Sequence, residues 1–227
     1  MKTFLILFLF VTISYGQSVQ GIGSSTGIIT PAQAGMSFRE VPIQGSPYIY
    51  QIFKKGQTII NGKTVSDALM RYDAYNDAIE IKNENNRVRT LLRRNNIVAI
   101  IDGTIYMVRD YFEAGNKKIG YFNPLNEGYT RLLRKPKKKF IQAENADHGY
   151  DTFTPAQYVD ISTYYMQRGN EPAQEVKLSK NKIVRFLNDK AGILKKFITE
   201  NKLEMRSESD VIALIEYYNT LENNETM

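Results

Sequence analysis

The residues best suited to chemistry gather around His148, the only histidine in the 227-residue chain, with Glu144, Asp147 and Asp151 within a few positions of it. Carboxylates and one imidazole in a short segment offer donors to a hard cation. Their spacing does not match the alternating ligands of a calcium loop, so a polar surface loop is the favoured reading. One histidine excludes zinc sites built on two or three imidazoles, and an HExxH pair is absent. A Ser-His-Asp triad stays arithmetically open and is not favoured. The chain has no cysteine, which removes thiol nucleophiles, disulfides, cysteine-held metals and a lipid anchor on cysteine. Gly21, Gly23 and Gly27 imitate a phosphate loop but lack the strand that must precede one. No catalytic, cofactor-binding or metal-binding residue is assigned, no cofactor is expected, and the chain is read as non-enzymatic.

Charge and aromatic content point to surfaces and packing. The formal net charge is +6, and Arg131, Arg134, Lys135, Lys137, Lys138 and Lys139 fall close together. Because Leu132, Leu133 and Phe140 interleave with them, the run reads as the solvated edge of a sheet, where lysines block strand-to-strand aggregation. Contact with another envelope protein or an anionic envelope surface through Arg131 to Lys139 is the functional alternative, and a nucleic-acid partner is not expected. The 15 tyrosines include Tyr48, Tyr50, Tyr72, Tyr75, Tyr164, Tyr165, Tyr217 and Tyr218. They offer a stacking platform for sugars, but their positions on strands and on a helical face favour ordinary packing.

The elements that must position these residues change along the chain. Residues 1–16 carry Lys2, an apolar run from Phe4 to Ile13, and small residues at Ser14 and Gly16, which is the pattern of a secretory signal peptide. The apolar run is about half the length of a spanning helix, so cleavage near Gln17 is expected and an integral membrane protein is not. Residues 17–44 mix Gly, Ser, Thr, Gln and Pro and read as a linker or arm. Residues 45–178 read as antiparallel β. Asn61-Gly62 and Asp102-Gly103 mark type I′ hairpins, and Ile79 and Ile81 alternate with Ala78, Glu80 and Lys82 as in a half-buried strand. An irregular insertion, Ala143 to Gln157, interrupts the pattern. From Ser179 the period becomes helical. Ile183, Val184, Phe186 and Leu187 form one stripe, and Ile193, Leu194, Phe197 and Ile198 a second. A third begins after Ser207, with Asp210 as capping-box acid, and carries Val211 to Leu221. The fold expected is α+β and mostly β: a curled meander, or half-barrel, with three short helices over 179–222 packed on it as one unit, and residues 223–227 as a tail.

Several runs carry a family resemblance. Gly45-Ser46-Pro47-Tyr48, Gly56, Asn61-Gly62, and Arg71 through Asp77 with Glu80 come first. Gly120-Tyr121-Phe122, Leu132 to Lys135, Tyr164-Tyr165 before Gly169-Asn170, and Ile215 to Asn219 follow in order. Together they resemble a group of uncharacterised exported proteins of Bacteroidota. The resemblance spans Gly45 to Leu221, with Asp73 where that group often has Asn, and it implies no activity or site residue. The function expected is an exported, periplasmic or extracellular envelope protein, with outer-membrane association as a variant, that binds a macromolecule or envelope surface. The alternatives are a carrier or chaperone for an apolar ligand held between sheet and helices, and a glycan or peptide hydrolase. A transmembrane barrel would need longer apolar strands with an aromatic girdle, which are not found.

Overall fold

Type I′ turns need two successive positive φ angles, and the computed structural model supplies them at both expected hairpins: Asn61 and Gly62 at 51° and 75°, Asp102 and Gly103 at 49° and 82°. The first joins β1 (Lys54–Ile60) to β2 (Lys63–Asp73), and the second joins β5 (Ile97–Ile101) to β6 (Thr104–Glu113). Between them lie β3 (Ala78–Lys82) and β4 (Val88–Thr90). Then come β7 (Asn116–Pro124), β8 (Thr130–Lys135), β9 (Lys138–Ile141), β10 (Gln157–Asp160), β11 (Thr163–Arg168) and β12 (Gln174–Val176). The structure describes residues 41–144 and 153–225; residues 1–40, 145–152 and 226–227 lie outside that range.

Ten strands form one antiparallel sheet in the order β12-β11-β8-β7-β6-β5-β1-β2-β3-β4, which does not close into a barrel, and β9 pairs with β10 alone. The sheet feeds three core clusters, two of them on opposite faces and without helical residues, and the third shared with the helices. Tyr72, Ile79, Ala99, Ile101, Tyr106, Val108 and Tyr121 fill the first. Tyr111, Phe122, Leu133, Tyr165 and Ala173 fill the second, where the Tyr111, Phe122 and Tyr165 rings meet edge to face with centroids 5.1 to 5.6 Å apart. Tyr121 and Phe122 are adjacent on β7 and point to different cores, so the stretch from Gly120 to Asn123 is covered on both faces, while Asn116 to Ile119 stay exposed. Ala173, just before β12, returns to the free flank of β6 through a bridge to Tyr111.

The helices are α1 (Lys180–Phe186), α2 (Ala191–Glu200) and α3 (Glu208–Glu225), with a 3-10 turn at Asn188–Lys190 between the first two. Most of each stripe is core, as the spacing predicts, with Phe186 and Phe197 partly buried; Ile193, counted in the second stripe, is instead exposed. Ile183, Leu187, Leu194, Val211, Leu214, Ile215 and Tyr218 pack with Leu132 of β8 and Met166 of β11. Burial of these faces is what makes helices this short persist. Ser179 stands at the start of α1 with an extended backbone, but its hydroxyl makes no capping bond. Asp210 accepts from the Glu204 amide at 2.7 Å, so its carboxylate closes the turn before α3 and does not pair with Ser207 as a capping box would.

One expectation is overturned in part. β8 lies between β11 and β7, so Arg131, Arg134 and Lys135 are not on a sheet edge, whereas Lys138 and Lys139 lie on β9, which pairs with β10 on one side only. The apolar alternation of Leu133 and Lys135 is that of a strand covered on both flanks, with the cation drawn inside by a partner described below.

Candidate functional site

Of the acidic loop around the histidine, Glu144 is described. It is exposed and makes a reciprocal backbone pair with Thr154 at 3.0 Å in both directions. Asp147, His148 and Asp151 lie outside the described residues, as do Gly21, Gly23 and Gly27 and the proposed signal peptide. No group of three or more His, Asp or Glu residues placed to hold a metal ion occurs among the described residues.

The basic run is largely consumed inside the fold. Lys137 pairs with Glu113 at 2.6 Å, and Lys138 donates to the carbonyls of Ser46 and Tyr48 at 2.7 and 2.9 Å. Arg131 donates to the Gly128 carbonyl, and Arg134 lies 4.0 Å from Asp160. Lys135 is buried. Its ammonium sits 3.1 Å from Asp77 Oδ2 and over the rings of Tyr111 and Phe122, at 4.7 and 4.8 Å from their centroids.

Asp77 is the hub of a polar constellation that joins the β2–β3 turn to β7 and β8. Residue 77 takes a φ of 52° in the β2–β3 turn, a conformation that Asp tolerates better than most residues. Its Oδ1 accepts from the Tyr72 hydroxyl at 2.6 Å and from the Tyr121 amide at 3.2 Å. Arg93 donates to the Asp77 carbonyl at 2.6 Å and to the Ile119 carbonyl at 3.2 Å. The hub fills the wedge where β7 and β8 part after pairing only Asn123 with Arg134 and Pro124 with Leu133. Gly120 makes room for it: a Cβ there would stand 2.5 Å from Lys135 Nζ and 2.7 Å from Asp77 Oδ2. Burial pulls the Lys135 ammonium down from the usual lysine range, against the opposing pull of Asp77, and burial with Asp77 pushes the Tyr72 hydroxyl well up. The Lys135 side chain is 4% exposed and lines none of the three clefts described below, and its contacts join the β2–β3 turn, β7 and β8.

A second constellation joins the helices to β11. The Tyr218 hydroxyl accepts from Arg168 at 2.9 Å and contacts Asp189 Oδ2 at 2.8 Å and Glu222 Oε1 at 2.7 Å. Arg168 also pairs with Asp189 at 2.6 Å. Two carboxylates thus converge on one hydroxyl, but neither lines any of the three clefts described next.

The concave surfaces lie elsewhere. A groove of about 1190 Å³ crosses β5, β1, β2 and the end of β3. Gln57, Asp67 and Ile100 meet across three neighbouring strands in it, and Lys55, Leu69 and Lys82 form the adjoining row. Gly56 is buried at its centre, where a Cβ would stand 2.8 Å from the Ile100 carbonyl oxygen, so glycine lets β1 and β5 approach closely there. Smaller clefts of about 490 and 480 Å³ lie among Ser179, Ile198 and Met205, and between Val176 on β12 and Phe186 on α1. The main interface between sheet and helices is filled by side chains.

The groove and the Asp77 hub were both invisible to motif reading. Lys135 had one signal, a cation in phase with Leu133 on a buried strand face. Much of the run from Arg71 to Glu80 makes contacts within the fold. Arg71 lies 3.6 Å from the Tyr48 ring and pairs with Glu80 at 2.7 Å, while Asp73 accepts from the Tyr75 and Asn76 amides. Comparison with known proteins gives no relative: no family model, curated protein or solved structure matches the chain.

Proposed function

We propose that this chain is an exported envelope protein of the Bacteroidota-like group, and that it binds a segment of a macromolecule in the β5-β1-β2-β3 groove without transforming it. The groove carries the reading. Pockets for small ligands have volumes of about 300–1,000 Å³ and bury most of the ligand, whereas this one is larger and open and crosses several strands. Its lining mixes apolar Leu69, Ile81 and Ile100 with Lys55, Asp67, Lys82 and Glu84 of both signs, which suits a chain of mixed character better than a lipid. Arg134 and Lys139, exposed remnants of the basic run, supply an electrostatic contribution to docking on an anionic surface.

The test is cosedimentation and cross-linking mass spectrometry of the full chain with isolated envelopes. Gln57→Trp, which fills the groove from an exposed position, is expected to reduce capture at least about tenfold, as loss of a central contact does. Changing Arg134 and Lys139 to Ser is expected to weaken capture mainly at low salt. Capture unaffected by Gln57→Trp would refute the groove as the binding site. Recovery of a secreted chain beginning near Gln17 is the expected sign of export; retention of residues 1–16 would contradict it.

A further inference from the structure

We propose that the helical face around α1 docks on a bilayer that carries anionic phospholipid headgroups. Residues 177–206 hold nine Lys or Arg against three Asp or Glu, a surplus of six that equals the formal net charge of the whole chain. The basic run on β8 and β9 is largely neutralised inside the fold, whereas this second concentration faces water. Lys177, Lys180, Lys182, Arg185 and Arg206 are all exposed, and among the described residues none of the five makes an ion pair or a side-chain hydrogen bond. They gather around the two smaller clefts. Lys180 and Arg206 line the one beside Met205, and Lys177, Lys182 and Arg185 line the one between β12 and α1. Glu175 is the one carboxylate in either lining. Unpaired cations at this density repel one another and raise the local potential, so the face attracts an anionic partner.

The clefts select a bilayer over a soluble polyanion. Their linings are apolar between the cations, with Ile198, Leu203 and Met205 in one and Val176 and Phe186 in the other. Ile193 on α2 is 48% exposed. Lysine and arginine stems lie along apolar surface while their charged ends reach the headgroups, which is how a basic amphipathic face sits at the boundary of a membrane. A single-stranded nucleic acid needs exposed rings on which its bases stack. Phe186 and Phe197 are partly buried, and Phe197 is already stacked on Tyr217 with centroids 4.0 Å apart. No helix among the described residues is long and apolar enough to cross a membrane, so contact through α1 is peripheral. It uses no residue of the groove, and it rests on the envelope reading only for the bilayer that the chain meets.

Binding to lipid vesicles tests this. The full chain and the chain starting at Gln17 are both used, since the apolar run Phe4 to Ile13 binds lipid of either charge. Phosphatidylcholine vesicles with about a quarter phosphatidylglycerol should bind the shorter chain at about 0.1 M salt and release it at about 1 M, and pure phosphatidylcholine should not bind it. Each cation near an anionic bilayer is worth about fivefold in affinity, so Lys182→Gln with Arg185→Gln should weaken binding about twentyfold. Arg87→Gln with Arg89→Gln removes as much exposed charge at the β4 end of the sheet and should change it less than about threefold. The chain has no tryptophan, so Asn181→Trp, in the cleft with Lys180, and Gln57→Trp, in the groove, each report one site. Emission of the first should shift to the blue on anionic vesicles, and that of the second should not. Absence of binding to anionic vesicles overturns the proposal. So does equal binding of the shorter chain to neutral vesicles, an equal loss in the Arg87 and Arg89 variant, a blue shift confined to Gln57→Trp, or tighter binding to a single-stranded oligonucleotide than to the vesicles. Capture of a macromolecule in the groove is read separately, by Gln57→Trp on isolated envelopes, so failure of that reading and failure of this one are distinguishable.

Discussion

Lys135 on β8 and Asp77 in the β2–β3 turn are 58 positions apart in sequence and 3.1 Å apart in the fold, and their contact ties that turn to a strand five places from β2 in the sheet order. Asp77 also holds Tyr72 and the Tyr121 amide, so removing its charge strands a buried ammonium. Asp77→Asn keeps the turn conformation and most hydrogen-bonding geometry; a loss of about 3 kcal/mol is expected by urea denaturation, near the lower end for breaking a buried pair. Gly120→Ala should cost a similar amount by forcing Lys135 and Asp77 apart. Loss under 1 kcal/mol in both variants would show that the wedge relaxes freely.

Acid should weaken the fold through Glu113. Hydrogen bonds from Lys118 and Lys137 hold its carboxyl down at about 2. A depressed folded value means its stabilisation is present above the unfolded carboxylate range and is lost as pH falls from about 4.5 towards 2. The lysines are partly exposed, so only about 1 kcal/mol is expected after screening. Thermal melts of Glu113→Gln should fall below those of the parent chain at neutral pH and converge with them in acid.

Alkali should act through the buried tyrosines. Burial pushes the hydroxyls of Tyr106, Tyr111, Tyr121 and Tyr165 up to about 12. Their folded values are raised, so stability is complete below the unfolded value near 10 and declines as pH climbs from there towards 12. Tyrosinate absorbance should therefore rise together with loss of near-ultraviolet circular dichroism; tyrosinate formation with the dichroism intact would contradict this.

Asn219 should be the most sensitive polar residue of α3. Its side chain accepts from the Thr130 amide at 2.9 Å and donates to the Thr130 carbonyl at 2.9 Å, completing the start of β8 as a strand partner would. Asn219→Ala leaves that amide buried and unpaired, for an expected loss of about 2 kcal/mol. Hydrogen exchange should localise the change to β8 and α3.

Local chemistry carried the elements that sequence resolves best. Asn61-Gly62 and Asp102-Gly103 specify their turns through backbone conformation alone, and the helical stripes from Ile183 to Tyr218 are periodic enough to announce their faces. What depends on distant pairing was not legible. Nothing near Lys135 reveals that β8 is flanked by β11, which follows it by an insertion, or that Asp77 waits opposite it. The groove likewise arises from β3 ending before β2 does, a difference in strand length that no motif encodes.

Strand β7 gives its neighbours Tyr121 and Phe122 to different cores, which makes it a shared wall. Loosening either face exposes one of these rings and disturbs the backbone that carries the other. The two faces are therefore one cooperative unit in spite of their separate interiors: a fragment ending before β8 would keep β7 but leave Phe122 without Leu133 and Tyr165, one beginning after β5 would leave Tyr121 without Tyr72, neither should fold, and damage in either core should be felt in both.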